Sequence, residues 1–265
     1  MIINFFTNIL KNKQKMKHLK FLAAVCCMLA VFTACENDTK SKIEELENRI
    51  EELENGGNSN TGSDNATGTA NGHGYVDLGL SVKWATCNVG ATKPEEYGNY
   101  YAWGETEPKT LYKWSTYKWC NGSYDTQTKY CTSSSYGTVD NKTVLDLADD
   151  AARANWGGAW RMPTDAEWTE LRKNCEWTWT SDYNGTGVAG RIVTGLNGNA
   201  IFLPAAGYRV DVDLSSAGGS GYYWSSSLRM DSPLDAWYVY FFSGNVFRGS
   251  ECRLCGQSVR PVLGE

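Results

Sequence analysis

Short hydrophobic runs alternate with turns rich in Gly, Asn and Ser from residue 75 to the end of the chain. Runs of this length between turn residues are typical of β-strands. Two stretches carry apolar residues at helical spacing instead, and they predict helices over 144–155 and from 164 onward. The pattern therefore predicts one α+β domain over 75–265. The predicted strands cover residues 75–78, 82–85, 192–194, 200–203, 237–242 and 258–262.

The second predicted helix has a well-defined start. Thr164 and Glu167 have the spacing of a capping box, and Pro163 directly precedes them. Trp168 and Leu171 follow on one helical face, so we expect them to be buried.

The N-terminal region has the pattern of an export signal. Positive charges follow Met16, and an apolar run over 21–32 is too short to span a membrane as a helix. Synthesis is expected to start at Met16 rather than Met1. Residues 32–35 resemble the lipobox of bacterial lipoproteins, which implies removal of residues 1–34 and lipidation of Cys35. A soluble secreted protein cut near the same point is the alternative.

A lipid anchor with more than one acyl chain is sufficient for stable membrane attachment. Residues 35–42 would then form the lipidated N-terminus and tether. Glu36, Asn37 and Asp38 resemble the acidic tract that directs lipoproteins of the Bacteroidetes to the outer surface. The expected location is therefore the outer membrane, with the domain at the cell surface.

Two heptads over residues 43–54 predict a short coiled coil. They are too few to hold a stable oligomer alone, so a weak homo-oligomer and a solvated single-helix spacer both remain open. Residues 55–74 are rich in Gly, Ser, Asn and Thr and predict a flexible linker with a reach of roughly 25 Å. The apolar heptad positions are Ile43, Leu46, Ile50 and Leu53.

Composition and charge narrow the class of protein. The chain has 265 residues with 27 Gly, 11 Trp and 15 Tyr but only 42% hydrophobic residues, which favours a loop-rich, aromatic-rich domain over a helical bundle. A net charge of -5 argues against nucleic acid as a partner.

Five stretches of the domain carry distinctive motifs, namely 75–85 (YVDLGLSVKWA), 98–106 (GNYYAWGET), 160–168 (WRMPTDAEW), 202–209 (FLPAAGYR) and 258–262 (SVRPV). Together they resemble a known family, the Fibrobacter succinogenes major paralogous domain of Bacteroidetes lipoproteins. The resemblance covers nearly all of 75–265. It implies a C-type lectin-like fold of the formylglycine-generating-enzyme-like branch, with two helices, a short mixed sheet and a loop-rich insertion.

Residues 221–262 begin and end with segments typical of a structural framework. Between these segments, large apolar, charged and thiol side chains follow no regular pattern. Soluble domains seldom expose such residues without a functional reason. We therefore predict a ligand-binding surface here. The candidate ligand-binding residues are Leu228, Asp231, Leu234, Asp235, Tyr238, Tyr240, Phe242, Phe247, Arg248, Cys252, Leu254 and Cys255.

The residues between these two framework segments also resemble the variable region of proteins diversified by a diversity-generating retroelement. In such systems Asn codons of the form AAY become NNY, which cannot encode Trp, Met, Lys, Glu or Gln. All the candidate residues are permitted, whereas Met230, Trp237, Glu251 and Gln257 would have to be fixed. An undiversified member of the same family is the alternative.

Cys252 and Cys255 form a CxxC, for which half a zinc site, a redox pair, a surface disulfide or two unrelated thiols all remain open. No second CxxC is present, and the two histidines lie at 18 and 73. We expect no metal and no cofactor. Cys120 and Cys131 are candidates for a loop-closing disulfide in an exported domain.

The resemblance to formylglycine-generating enzymes raises copper-dependent oxidation at Cys252 and Cys255 as another function. No histidine that could act as a general base lies within 75–265. The calcium motifs of C-type lectins are also absent, since Glu107-Pro108-Lys109 places a cation where an oxygen ligand is needed.

The sequence therefore predicts a surface lipoprotein that is not an enzyme and that recognises a ligand through 221–262. The expected ligand is a protein or glycan on a host, a phage or a neighbouring cell. A structural or adhesion lipoprotein of the cell envelope is the alternative from another class, and the oxidase is a third.

Overall fold

The computed structural model describes residues 66–264. The predicted signal, lipidation site and coiled coil all lie outside the described residues. Within them, the domain is mainly β, with two short helices, α1 (Ala151–Trp156) and α2 (Asp165–Asn174). The strands are β1 (Gly68–Ala70), β2 (His73–Val76), β3 (Lys83–Ala85), β4 (Trp160–Arg161), β5 (Glu176–Thr180), β6 (Gly190–Thr194), β7 (Ala200–Pro204), β8 (Tyr208–Val210), β9 (Asp213–Ser215), β10 (Ser220–Leu228), β11 (Asp235–Phe242), β12 (Val246–Cys252) and β13 (Val262–Leu263).

The strands form four separate antiparallel sheets. A five-stranded sheet has the order β1-β2-β3-β13-β4, and two three-stranded sheets have the orders β5-β6-β7 and β10-β11-β12. Strands β8 and β9 form a two-stranded hairpin. Every pair of named strands is antiparallel. Many of these pairs are hairpins, which short turns can connect only in the antiparallel sense. Of the expected mixed sheet, the described residues show only isolated parallel bridges to β10, at Tyr223–Ser258 and Gly207–Gly221.

The domain begins earlier than the sequence indicated. Residues 68–74, which were assigned to the linker, form β1 and the start of β2. Asn71 and Gly72 both have positive φ, at 47° and 81°, as a tight hairpin turn requires. The Trp160 indole donates to the Ala70 carbonyl at 2.9 Å and ties this hairpin to the domain.

Helix α1 is shorter than the predicted helix over 144–155. The Asp150 carboxylate accepts from the backbone N–H of Arg153 at 3.0 Å and of Met162 at 2.7 Å, so the helix begins immediately after it. Upstream, Leu147–Asp149 forms a 3-10 turn, and Val144 pairs with Ser227 in an isolated bridge. The long-range contacts of these residues override the local apolar spacing.

Helix α2 starts with the predicted capping box, which is confirmed. Thr164 Oγ1 accepts from the Glu167 N–H at 3.2 Å, and Glu167 Oε2 accepts from the Thr164 N–H at 2.7 Å. Trp168 and Leu171 are 1% and 0% exposed. They pack in a core cluster with Tyr223 of β10, so this helix covers one face of the β10–β12 sheet.

Three buried arginines join parts of the chain that lie far apart in sequence. The Arg260 guanidinium donates to the Asn88 side chain and to the carbonyls of Ala85 and Phe202 at 2.8–3.0 Å. Arg191 and Arg253 bind backbone carbonyls in the same way. Such contacts satisfy carbonyls that loops would otherwise leave unpaired inside the core.

No helix within 66–264 is long and apolar enough to cross a membrane.

Candidate ligand-binding face

Strands β10, β11 and β12 form a meander whose side chains alternate between two faces. Tyr222 of β10 lies opposite Tyr240 of β11, and Tyr240 lies opposite Phe247 of β12. Because opposite residues of an antiparallel pair project to the same side, these rings share one face. The alternate residues Val239 and Phe241 project to the other face, where they are 2% and 0% exposed.

Six aromatic rings lie side by side on the outer side of this sheet, and we call them the aromatic face. Tyr222 is central, with ring centroids 4.7 Å from Tyr208 and 4.8 Å from Tyr240. The rings of Tyr240, Phe242 and Phe247 extend this set, with pairwise centroid distances of 5.8–6.1 Å. The aromatic face consists of Tyr208, Tyr222, Tyr238, Tyr240, Phe242 and Phe247.

The aromatic face is open to solvent. Five of its side chains are half-buried, and Phe247 is 42% exposed. A glycine creates part of the surface: a Cβ at Gly249 would lie 2.8 Å from the Tyr238 ring. The absence of a side chain at this position lets the Tyr238 ring lie across β12. Contiguous apolar surface of this kind on a soluble domain commonly marks a binding site.

The tyrosines add polar groups to this apolar surface. The hydroxyls of Tyr208 and Tyr238 have no hydrogen-bond partner within the described part of the chain. Burial raises the pKa of Tyr222, and burial together with nearby Glu251 raises the pKa of Tyr238. Both phenols therefore stay protonated at neutral pH and can donate hydrogen bonds to a ligand.

Four of the candidate residues lie together on this face, namely Tyr238, Tyr240, Phe242 and Phe247. Two further members, Tyr208 and Tyr222, were not among the candidates, because the sequence placed them in framework segments. Period-two alternation across Tyr222, Tyr223 and Trp224 would have separated the outward ring of Tyr222 from the buried ring of Tyr223. No local signal identifies Tyr208, whose position depends on the β8–β9 hairpin.

Three candidates are buried, and their placement on an open surface was wrong. Leu228 is 2% exposed, Leu254 is 8% exposed and Cys255 is 4% exposed. All three belong to a core cluster that also contains Trp103 and Trp224. The loop-rich region before α1 covers them, and the sequence pattern gave no sign of that cover.

Arg248 and the neighbouring acidic candidates make contacts within the chain. The Arg248 guanidinium binds both carboxylate oxygens of Asp165, at 2.7 and 2.9 Å. Asp231 is exposed and pairs with Arg229 at 2.8 Å. Asp235 accepts from the Ser232 hydroxyl at 2.8 Å. By strand alternation Arg248 and Asp235 lie on the side of the sheet opposite the aromatic face, so their charges are not part of that face.

The two remaining candidates lie where β12 joins the core. Leu234 is half-buried, and its carbonyl accepts from the Arg253 N–H at 2.9 Å. Cys252 is also half-buried. Between Cys252 and Leu254, Arg253 is fully buried and donates to Tyr117 Oη and to three backbone carbonyls at 2.8–3.0 Å. The CxxC segment is thus structural at its centre.

All six cysteines within 66–264 are free, so neither the candidate Cys120–Cys131 disulfide nor the Cys252–Cys255 alternative is formed. Cys120 Sγ donates to the Trp114 carbonyl and Cys131 Sγ to the Ser133 carbonyl, both at 3.1 Å. Burial raises the pKa of Cys252 to about 11 and also raises that of Cys255. These thiols are therefore poor nucleophiles at neutral pH.

Across residues 66–264, no group of three or more His, Cys, Asp or Glu side chains is placed to hold a metal ion. Comparisons of the chain with protein-family models, curated proteins and solved structures find no match.

Proposed function

We propose that this protein is a surface lipoprotein that recognises a protein or glycan ligand through the aromatic face of a C-type lectin-like domain. The observation that carries the proposal is the set of six adjoining rings on one open side of the β10–β12 sheet. Tyrosine and phenylalanine bury large area at small entropic cost, and tyrosine adds a hydrogen bond, so such residues dominate recognition surfaces.

The rigidity of the surface supports this function. The β11–β12 turn, which follows Phe242, is held by Arg191, whose Nη2 donates to the carbonyls of Phe242 at 2.7 Å and Ser243 at 3.1 Å. The opposite side of the sheet is packed on α2. A binding surface that is already ordered loses little conformational entropy when a ligand binds.

The family assignment rests on the resemblance of the five stretches in 75–262, and the mainly β domain with two short helices is compatible with it. Attachment to the outer membrane through Cys35 completes the proposal. A fixed envelope or adhesion lipoprotein is the alternative. The high pKa of the Cys252 thiol gives no support to an oxidase, for which copper-dependent activity lost in Cys252→Ser would be the evidence.

Binding is tested by comparing Tyr240→Ala and Phe247→Ala with a matched control, Leu196→Ala. Leu196 is 95% exposed on the β6–β7 turn, away from the aromatic face. The probes are a glycan array and panels of host cells, bacteria and phage. We expect loss of about tenfold or more in affinity for both aromatic variants, with the control unchanged. Equal binding by all three would contradict the proposal.

Diversification is tested by sequencing the genomic interval around the gene. A near-copy of codons 221–262 beside a reverse transcriptase, differing at adenines of the copy, would support a retroelement. The differing codons should then include 238, 240, 242 and 247 and should leave out Arg253, which the core requires. Absence of such a copy would favour the undiversified alternative.

A further inference from the structure

Strand β12 is the outer strand of the β10-β11-β12 sheet. Hydrogen bonds at both ends of β12 fix which of its residues pair with β11. The Phe242 N–H donates to the Asn245 carbonyl at 3.1 Å, and the Arg253 N–H donates to the Leu234 carbonyl at 2.9 Å. The register between β11 and β12 is unbroken between these points. Alternation therefore directs the backbone groups of residues 247, 249 and 251 toward β11 and those of 246, 248, 250 and 252 outward.

The two ends of this outward row are capped by nearby groups of the same chain. The Val246 N–H donates to Asn245 Oδ1 at 2.8 Å, and the Cys252 N–H donates to Glu251 Oε1 at 3.0 Å. The Cys252 carbonyl accepts from the Cys255 N–H at 3.0 Å. Additional strand pairing is therefore blocked at both ends and open in the middle.

Between the caps, the N–H and C=O groups of Arg248 and Ser250 have no partner within the described part of the chain. These groups lie on an accessible edge, since Arg248 is exposed and Ser250 is half-buried. An open strand edge is a template for pairing with another strand, and proteins usually protect such edges with charged side chains, proline or a covering loop. The centre of β12 has no proline, and its charged side chain, Arg248, is bound by Asp165 of α2 rather than left free at the edge.

We infer that this edge pairs with the same edge of a second copy of the chain. A two-fold arrangement centred on Gly249 places Arg248 opposite Ser250 of the partner subunit, and Ser250 opposite Arg248 of the partner subunit. All four open backbone groups on each edge are then used. When two copies of one strand pair about a two-fold axis, each residue with outward backbone groups must face another such residue of the second copy. Residues 248 and 250 lie one position to either side of 249, so each faces the other across the axis.

The side chains favour this register over its nearest neighbour. A shift of two residues would place Arg248 opposite Arg248 of the partner subunit, and directly opposed like charges destabilise a strand pair. In the register centred on Gly249, the cation instead faces a small hydroxyl. The charge on β12 thus disfavours the register centred on Arg248, and the register centred on Ser250 would need the backbone groups of Cys252, which are already paired.

The contact is small, so the dimer is expected to be weak. The coiled coil predicted over 43–54 would hold two copies close together and raise their effective concentration, although neither contact is strong by itself. Antiparallel pairing in one sheet keeps the aromatic faces of both copies on the same side. A bivalent binding surface follows if the proposed function holds, whereas the dimer itself does not depend on that function.

The edge is tested with Ser250→Pro and its matched control Ser250→Ala. Proline removes the outward N–H without breaking a β11–β12 hydrogen bond, and edge strands tolerate it. Both substitutions lose the hydroxyl that accepts from Arg229 Nη1 at 3.1 Å, so their difference isolates the backbone donor. Near-ultraviolet circular dichroism establishes that both variants are folded.

The measurement is sedimentation of the full-length chain in density-matched detergent over a range of protein concentrations. We expect a concentration-dependent dimer whose dissociation constant rises about tenfold in Ser250→Pro relative to Ser250→Ala. The same difference should persist in an Ile50→Asn background, which weakens the predicted coiled coil. Ser250→Asp, which faces Arg248 of the partner subunit, should tighten the dimer, and Ser250→Arg should weaken it.

Equal dissociation constants for Ser250→Pro and Ser250→Ala would overturn the inference. A full-length chain that stays monomeric at every concentration would also overturn it, and would leave the edge free for a strand of another protein. Neither result depends on a ligand, so failure of the dimer can be distinguished from failure of the proposed function.

Discussion

The guanidinium carbon of Arg248 lies 3.3 Å from the ring centroid of Trp237, on the side of the β10–β12 sheet opposite the aromatic face. The same guanidinium forms an ion pair with Asp165, the first residue of α2. Arg248 therefore joins β12 to the helix that covers the sheet. A ligand that used this side chain would first have to displace Asp165.

Arg248→Ala should lower the free energy of unfolding by about 1 kcal/mol, because a partly exposed ion pair and a cation–π contact each contribute modestly. Arg248→Lys should lose less, since it keeps the charge but not the two-point contact with Asp165. Urea denaturation measures both. A loss above about 3 kcal/mol in Arg248→Ala would mean that the contact is part of the core.

Phe247 and Phe241 provide a matched test of which side of the sheet is open. Phe241→Ala should cost about 3–5 kcal/mol of stability, because its ring is 0% exposed in the core. Phe247→Ala should cost about 1 kcal/mol or less, because 42% of that residue is exposed. Thermal and urea unfolding give the comparison, and similar losses would show that the aromatic face is covered in solution.

Arg253→Lys should destabilise the domain by about 3 kcal/mol or more. The lysine ammonium cannot reach the three carbonyls and the Tyr117 hydroxyl at once, so buried acceptors lose their partners. The control is Arg229→Lys, at a side chain that is 35% exposed, and it should change stability by less than about 0.5 kcal/mol. Equal stability of Arg253→Lys and Arg229→Lys in urea would contradict the structural role assigned to Arg253.

Glu167 should make part of the stability pH-dependent. Burial raises its pKa, but hydrogen bonds from Arg161 and Thr164 outweigh burial and hold the pKa of this carboxyl below its ordinary value. The stabilisation is therefore complete above the unfolded-state pKa of about 4.3 and is lost as the pH falls through the lower folded-state value.

Glu167→Gln should flatten the decline in unfolding free energy below about pH 4.3, whereas Glu176→Gln, at an exposed carboxyl, should leave it unchanged. Urea titrations at a series of acidic pH values provide the measurement. An unaltered slope in Glu167→Gln would contradict the assigned cause.

The thiols between residues 66 and 264 should all be free. Alkylation of the unfolded chain without reductant, followed by peptide mass spectrometry, should label Cys120, Cys131, Cys252 and Cys255. In the native protein Cys252 should react slowly at pH 8, because its pKa is raised to about 11. Recovery of a Cys120–Cys131 cross-linked peptide would contradict the free state.

Local signals predicted the elements that depend on neighbours in sequence. The capping box at Thr164 and Glu167 needs only residues three apart, and the strand predicted over 237–242 contained the candidates Tyr238, Tyr240 and Phe242, which the register of β11 places on one side. The hairpin at Asn71 and Gly72 carried an equally local signal, although its Gly-rich surroundings favoured a linker. The late start of α1 could not be predicted, because Asp150 fixes it through a long-range contact with the Met162 N–H.

The sequence by itself determined that the domain combines short strands with two helices, where α2 starts and which strand carries most of the aromatic face, because these depend on periodicity and on short-range hydrogen bonds. Only the tertiary structure decided which candidates are accessible. Burial of Leu228, Leu254 and Cys255 depends on packing beneath distant parts of the chain, and the guanidinium of Arg253 is bound by carbonyls more than a hundred residues away. Periodicity carries no information about such contacts, since they are made by chain segments that come together only on folding.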